Sequence, residues 1–420
     1  MPHVYTYNVQ SVFAQVDDIN YTTLSGLSII NRVQSCNIAI NYPYQNEFGW
    51  DGGGDQVMVE RPRVGMELNY YPTKGANEVT FGLHTGVGNP ALMGIVTREQ
   101  NYFVVANKQY YDNLGFSGNN WQIFALGNGV ITNYSVNARI AQPLSSSFDI
   151  ENFNLLIQTG GSVQNLPTIN KETAEPISGH YHIPEITTEI RPQSGIVTQI
   201  NTGDIQVTFY DSQDLDQYWV PVIRPGDISL SFDSGSSLGM VMSGQNSCSL
   251  QSFAFSIALP RTDMQRLGWN YPESRPLQFP ITVNITAEAY MNDAQVDALN
   301  KAGMENGHSI SLICKKRGAN DSSLEYHFTN AKLQNQNVTA QIGAFNRVSF
   351  NWSSVIYDMN TTGPNDANFY FESDKNVFDS PNPDLIALLF IDPDHARISW
   401  GDNYNPTFVP TPYPQLQVTV

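Results

Sequence analysis

The stretch Gln251-Ser-Phe-Ala-Phe-Ser-Ile-Ala-Leu-Pro260 reads as a β-strand closed by a proline. Phe253 to Leu259 is rich in strand-forming side chains, and a proline cannot donate to a central ladder. It has a near copy in the same chain, Gln34-Ser-Cys-Asn-Ile-Ala-Ile-Asn-Tyr-Pro43, 217 residues earlier (34 to 251). The likeness continues in order. Phe48-Gly-Trp50 is echoed by Leu267-Gly-Trp269 (50 to 269, offset 219), and Arg61-Pro62 by Arg275-Pro276 (62 to 276, offset 214). Val64-Gly-Met-Glu-Leu68 matches Ile281-Thr-Val-Asn-Ile285, and each leads to a tyrosine, Tyr71 and Tyr290. Asn137-Ala-Arg-Ile140 has the counterpart Asn330-Ala-Lys-Leu333 (137 to 330, offset 193). Similar offsets in a preserved order are what a tandem duplication leaves behind once loops are inserted. The unit repeated is strand–strand–short helix–strand–strand.

The texture elsewhere agrees. Runs rich in Val, Ile, Thr, Tyr and Phe alternate with Gly, Pro, Asn and Asp clusters, at Ile38 to Tyr42, Tyr102 to Ala106, Ile205 to Tyr210, Ser309 to Cys314 and Arg347 to Trp352. In Ile228-Ser-Leu-Ser-Phe232 every second residue is apolar, so one face is dry and the other wet. The best helix begins at Asn292-Asp293, runs through Val296 and Leu299 to about Lys301, and meets a stop at Gly303. The fold expected is mainly β, with two tandem sandwich or barrel domains over 1–160 and 196–358, each with a short flanking helix and long hairpin loops. Residues 161–195 read as a linker. Residues 359–420 read as an acidic extension: 365–405 hold eight acids against Lys375 and Arg397, and prolines stand at 406, 410, 412 and 414.

Length and composition exclude several classes. The chain has 420 residues, a formal net charge of −18, 14% charged residues and 41% hydrophobic ones. Disorder pairs high net charge with few apolar residues, and phosphate affinity needs clustered Lys and Arg, so neither disorder nor a nucleic-acid binder fits. The longest strongly apolar stretch, Leu385 to Ile391, is far short of a bilayer span. The start, Met-Pro-His-Val-Tyr-Thr-Tyr, lacks the basic and apolar regions of a secretory signal, so sequons such as Asn284-Ile-Thr286 read as polar strand positions. Cys36, Cys248 and Cys314 are widely spaced and form no CxxC pair, which indicates neither a disulfide framework nor a zinc site and leaves a reducing interior as the default.

No catalytic, cofactor or metal residue is assigned. Gly235-Ser-Ser237-Leu-Gly239 satisfies GxSxG, yet the helix a nucleophile elbow needs does not follow Ser237, and a hairpin turn is expected instead. His180 and His182 flank Tyr181 near Glu185 and Glu189, a spacing that can hold zinc or nickel on one strand face, but they stand in the expected linker. Asp392-Pro-Asp394-His395 reads as an acidic turn. Gly52-Gly-Gly54 lies between Asp51 and Asp55, whose charges repel a phosphate, so it reads as a flexible loop tip. Lys315-Lys-Arg317 reads as a solvated hairpin tip that could also dock on an acidic neighbour. Trp50 and Trp269, at matching places after glycine, read as core anchors.

In each copy the order of features resembles the tail-tube protein family of bacterial viruses. The carrying residues are Gln251 to Pro260, the Arg275-Pro276 hinge, the strand Ile281 to Ile285 ahead of the short helix, Ser309 to Lys315, Tyr326-His-Phe-Thr-Asn-Ala-Lys-Leu333, and Arg347 to Trp352. The resemblance covers most of 196–358 and, more faintly, 4–160. It departs in the first copy, where Asp51 to Val59 is an inserted loop and 84–101 replaces a compact helix–strand turn. It implies a structural virion protein without enzymatic activity, made in the host cytoplasm and located in the tail. Copies would close into trimeric, pseudo-hexameric rings stacked into a tube that conducts DNA without binding its sequence. The implied partners are further copies, tape-measure and terminator proteins, and a sheath where one exists. Acids around Asp204 to Asp233 and 365–405 are candidates for a lumen. Another ring component on the same fold (distal tail, baseplate or adaptor) stays open. A carbohydrate-binding adhesion module is the rival from a different class, and an acidic hydrolase comes third.

Overall fold

Strands with alternating apolar and polar residues have one dry side each, so sheets of them must stack dry side to dry side. In the computed structural model this is how the chain is built. The structure describes residues 11–15, 27–30, 32–48, 54–58, 61–72, 75–84, 91–92, 94–95, 99–107, 121–159, 162–182, 199–202, 205–208, 223–232, 249–290, 307–315, 322–339, 347–357, 368–373, 391–392, 397–398 and 417–419. The first strands are β1 (Ser11–Gln15), β2 (Leu27–Ile30), β3 (Val33–Asn41), β4 (Tyr44–Phe48), β5 (Gly54–Met58) and β6 (Arg63–Tyr70), followed by the helix α1 (Ala76–Thr80). Next come β7 (Gln100–Asn107), β8 (Trp121–Arg139), β9 (Ser145–Asn152), β10 (Asn154–Thr159), β11 (Ser162–Ile169), β12 (Pro176–His182), β13 (Gln199–Thr202) and β14 (Ile205–Thr208). The remainder are β15 (Ile228–Phe232), β16 (Ser249–Ala258), β17 (Ile281–Tyr290), β18 (His308–Lys315), β19 (Ser322–Thr339) and β20 (Arg347–Ile356). Four short strands close the chain: β21 (Phe369–Ser373), β22 (Ile391–Asp392), β23 (Arg397–Ile398) and β24 (Gln417–Thr419).

Fifteen strands are linked by hydrogen bonds into one antiparallel system. Its centre runs β3-β6-β9-β8-β16-β17-β20-β19. Two smaller layers branch from the long strands. β8 also pairs with β7 and β10, and β7 with β1; β19 also pairs with β18 and β21, and β18 with β15. The same six pairings therefore occur in both halves, joined by β8·β16. Register irregularities recur too. They fall between Val33/Ser35 and Leu250/Ser252, between Gln100/Tyr102 and His308/Ile310, and between Ile131/Asn133 and Leu333/Asn335.

The long strands serve two layers because each bends at an asparagine. Asn128 and Asn330 both have φ 53, a left-handed conformation that asparagine tolerates better than most residues. They stand 202 residues apart (128 to 330), one in each of the two longest strands, β8 and β19. Asn137, matched to Asn330 in the sequence, pairs with Ser145 near the end of β8, away from the bend.

The dry sides meet in a cluster that runs through both halves, from Leu68, Phe148 and Tyr134 to Phe255, Tyr326, Phe328 and Trp352. Phe255 sits at its middle, with ring centroids 5.8 Å from Tyr134, 5.1 Å from Tyr326 and 4.8 Å from Phe328. Burying each such ring stabilises the fold by roughly 1.5–3 kcal/mol.

Other sequence expectations fared as follows. The strand runs quoted above fall on strands apart from their ends: Tyr42 and Leu259 lie just past β3 and β16, residues 209–210 are outside the described residues, and Ile228–Phe232 has the same bounds as β15. The helix expected at Asn292 to Lys301 lies outside the described residues, as do Trp50 and Gly235 to Gly239. α1 follows β6 in the first half. Of the glycine run, Gly54 opens β5 opposite Phe48 of β4, while Gly52 and Gly53 lie outside the described residues. Trp269 is not a core anchor: it stands half-buried in the surface loop after β16, with the Arg266 guanidinium 4.8 Å over its ring. The expected linker holds the hairpin β11·β12, whose Leu166, Thr168 and Ile169 are buried. Within 359–420, β21 completes the layer around β19, and β24 pairs with β14.

Candidate functional site

On the face of the central sheet turned away from the core, short polar side chains line up across all eight strands. One row reads Ser35, Asn69, Ser147, Ser135, Ser256, Asn284, Ser353, Lys332, each residue directly opposite the next. Neighbours bond along the row, Asn69 Nδ2 donating to Ser35 Oγ at 3.0 Å and the hydroxyls of Ser135 and Ser147 lying 2.7 Å apart. Charges on this face balance: Glu67, Asp149, Glu151 and Glu288 stand with Arg63, Arg139, Arg347 and Lys332. The alternation that buries Val283, Ile285 and Ala287 of β17 turns Asn284, Thr286 and Glu288 outward. Such a surface is polar without carrying a net field.

Among the described residues the sheet ends in β3 on one side and in the second half of β19 (332–339) on the other, which pair inward with β6 and β20. Strands in this sheet alternate in direction, so β3 and β19 run opposite ways. Both edges expose apolar side chains, Ile40 at 44% and Val338 at 53%. At the internal junction β8·β16 the residues in the matching places, Ile257 and Val136, are 0% and 1% exposed. The matching offsets are 217 (40 to 257) and 202 (136 to 338), those of the register irregularities above.

The bend of β8 gathers three segments. Arg275, from the loop between β16 and β17, has a side chain 1% exposed. It donates to the Asn128 carbonyl, lies 3.2 Å from Glu151 Oε1 and stacks 3.8 Å from the Phe153 ring centroid. Asn128 Nδ2 donates to Glu99, which also receives Lys171 Nζ at 2.8 Å from the turn of the β11·β12 hairpin. Arg261 donates to the carbonyls of Ile131, Ile95 and Arg275, and its pKa is lowered to about 10 by burial and then by the neighbouring Arg275 charge. Arg63, bonded to Glu151 and Asp263, borders a cleft of about 510 Å³ beside this cluster.

Deeper, Glu78 of α1 is fully buried and accepts from Tyr70 Oη at 2.8 Å and, across the halves, from Tyr326 Oη at 3.4 Å. Tyr134 and Tyr326 share a 2.8 Å hydrogen bond. Burial raises the Glu78 carboxyl above its ordinary value, and burial with the adjacent carboxyl raises all three phenols. All four side chains are sealed from solvent, so the group braces the two halves and offers no surface to a ligand.

The structure does not bring the sequence candidates together. The backbones of His180 and His182 lie in β12, while Glu185, Glu189, Asp394 and His395 are outside the described residues. Lys315 is exposed at the end of β18, and Lys316 and Arg317 are not described. Cys314 is buried and Cys36 half-buried; burial raises both thiols, that of Cys36 to about 12, which disfavours the thiolate. The polar row and the Arg275 cluster were missed. The row had a signal, Ser and Asn alternating with apolar residues, and Arg275 had none beyond its proline. No helix among the described residues is long and apolar enough to cross a membrane. Comparison with known protein families finds no match, and comparison with characterised proteins finds no relative.

Proposed function

We propose that the chain is a tandem duplication of one β unit and that copies of it close edge to edge into a ring, as the subunit of a tube of the kind found in bacteriophage tails. The observation that carries the reading is the repeated scheme itself: six pairings and three register irregularities that recur in both halves, with the internal junction β8·β16 joining a β19-type strand to a β3-type strand. The outer edges of the sheet are one β3-type and one β19-type strand, antiparallel to each other, so a second copy can repeat the internal junction. Contacts of this head-to-tail kind generate closed rings when the rotation fits.

The polar, charge-balanced face supports the same reading. Three copies would set about 24 strands in one barrel; at ~4.8 Å spacing and ~40° tilt its backbone diameter is ~50 Å, wide enough for a DNA duplex. A wall of short hydroxyl and amide groups, in which every arginine has a carboxylate to match, gives phosphates no cationic cluster to grip.

The internal junction also supplies the register. Asn137 lies opposite Ala254; moved by the two offsets, Thr339 of one copy lies opposite Asn37 of the next, and Ile38 packs beside Val338. Directly opposed residues approach closely enough for a disulfide. In a chain with Cys36 and Cys248 replaced by alanine, Asn37→Cys with Thr339→Cys should give, on oxidation, a covalent ladder that stops at a closed ring. Asn37→Cys with Val338→Cys, on opposite faces, should not. Negative-stain images of the unmodified chain should show rings or tubes of uniform bore. Monodisperse monomers at all concentrations, or rings that the designed pair fails to link, would overturn the reading.

A further inference from the structure

We propose that Glu325, His327 and Glu372 bind a divalent transition-metal ion, zinc being the best match, on the outer face of the layer formed by β15, β18, β19 and β21. Glu325 is directly opposite Glu372 across the β19·β21 pair, and His327 follows two residues on, opposite Tyr370. One oxygen from each carboxylate and one imidazole nitrogen all lie within 4.8 Å of one another.

Two features ask for a cation here. Carboxylates set directly opposite across an antiparallel pair repel, and here both are half-buried, the Glu325 side chain 18% exposed. The histidine is held as a ligand. Its Nδ1 is 2.8 Å from Ser311 Oγ, and its ring is stacked on Tyr370 with centroids 4.3 Å apart and planes 11° off parallel. With the proton assigned to Nδ1, where Ser311 accepts it, the Nε2 lone pair faces Glu325 Oε2 at 3.0 Å. Nε2 is buried, and its geometry toward that oxygen does not suit an N–H···O bond. A metal ion between the three relieves both the carboxylate pair and the opposed lone pairs. Metal-bound histidines regularly have the second ring nitrogen fixed in this way.

Two oxygens and one imidazole suit Zn²⁺, Co²⁺ or Mn²⁺ better than Ca²⁺ or Mg²⁺, which take oxygen alone. Ligand bonds of ~2.0–2.2 Å need donor atoms ~3–3.5 Å apart, so the widest gap must close by about 1 Å, within reach of the flexible Glu372 side chain. Water would fill the remaining position. The ion would staple β21 (Phe369–Ser373), which begins 13 residues after β20 ends at Ile356 (356 to 369), back onto β19. The inference is independent of ring assembly.

The test uses the full chain stripped with EDTA, then titrated with Zn²⁺ in a calorimeter and with Co²⁺ by visible absorption, alongside Glu372→Gln and His327→Asn. Zinc should raise the wild-type melting temperature and produce a binding isotherm that either variant weakens by at least the ~10–100-fold that loss of an outer-shell partner costs. Without metal the order reverses: Glu372→Gln should melt higher than the wild type, because the repulsion is gone. No zinc-dependent heat or melting shift, a shift that both variants retain, or a Glu372→Gln chain less stable without metal would each overturn the proposal.

Discussion

Arg275→Ala should be among the most damaging single changes outside the aromatic core. The side chain is 1% exposed, 3.2 Å from Glu151 Oε1 and 4.0 Å from Glu99 Oε1, donates to the Asn128 carbonyl, and covers the Phe153 ring at 3.8 Å. Truncation takes one of two cations from Glu99, 14% exposed, which keeps Lys171, and from Glu151, 33% exposed, which keeps Arg63, and it leaves the carbonyl at the β8 bend short of its donor. Breaking a buried ion pair from one side costs ~3–5 kcal/mol. The lost stacking is worth up to ~2 kcal/mol taken alone. These losses share one side chain and do not add, so the total expected is ~3–5 kcal/mol. Arg275→Lys keeps the charge, but one ammonium cannot reach both Glu151 and the carbonyl while lying flat on the ring, so ~1–2 kcal/mol is expected. Urea unfolding followed by tryptophan fluorescence reads both numbers, with the slope held as a check on mechanism. An Arg275→Ala chain within ~1 kcal/mol of the wild type at unchanged slope would mean that water replaces the guanidinium freely, and the clamp argument would fail.

Two further perturbations probe the interior. Glu78 has its pKa raised by burial from an ordinary 4.5, so the stability it contributes is fully present below that value and is lost as pH rises through the folded pKa. The advantage of Glu78→Gln over the wild type should therefore grow from pH 5 to pH 8, by at most ~1.4 kcal/mol per pH unit, and a difference that stays flat in urea melts would refute it. A Cβ at Gly127 would stand 1.9 Å from the Pro167 carbonyl oxygen of β11. Gly127→Ala should cost ~1–3 kcal/mol and lift the β11·β12 hairpin off β8, seen as faster proteolytic cleavage in the 170–175 turn. An unchanged cleavage pattern would count against that packing.

Strand positions were legible because alternation and proline placement are local signals. Ile228–Phe232 shows its period in five residues, and the strand ahead of Pro260 ends two residues before it. The offset of 217 read from Gln34 and Gln251 is also the offset between the irregularities at Val33/Ser35 and Leu250/Ser252 (33 to 250). What escaped was set by distant contacts. Nothing local marks Asn128 as a bend within a nineteen-residue strand; its conformation is held by Arg275 and Ile169 from far along the chain. The 161–195 segment has linker-like composition, yet Leu166 and Ile169 find a dry surface on the first layer that only the folded chain provides. Trp269 misled for the opposite reason. A tryptophan carries a large apolar area, but its loop lies on the surface, and stacking with Arg266 covers one side of the ring instead. Glu325 and His327 stand two apart on one strand, a visible pairing, while the opposed Glu372 is brought in by register alone.

The proposed edges are weak by design, and the magnitudes show why that matters. Covering the exposed halves of Ile40 and Val338 is worth about 1 kcal/mol each, whereas bringing two chains together costs an estimated ~4–15 kcal/mol in lost freedom. A single edge contact with a short ladder therefore cannot hold two copies firmly. The remaining edge positions, Asn335, Gln336 and Asn337, are polar, which restrains the indiscriminate strand pairing that an apolar edge invites. In a closed ring every chain satisfies both of its edges at once, and the last contact formed is intramolecular, so it escapes most of the association cost. Marginal edges on a stiff eight-stranded sheet would thus favour the proposed ring over pairs and open chains. The stiffness comes from inside: the Tyr134–Tyr326–Glu78 brace and the Arg275 clamp both tie one half to the other, which fixes the angle between β3 and β19 and with it the rotation at which a ring can close.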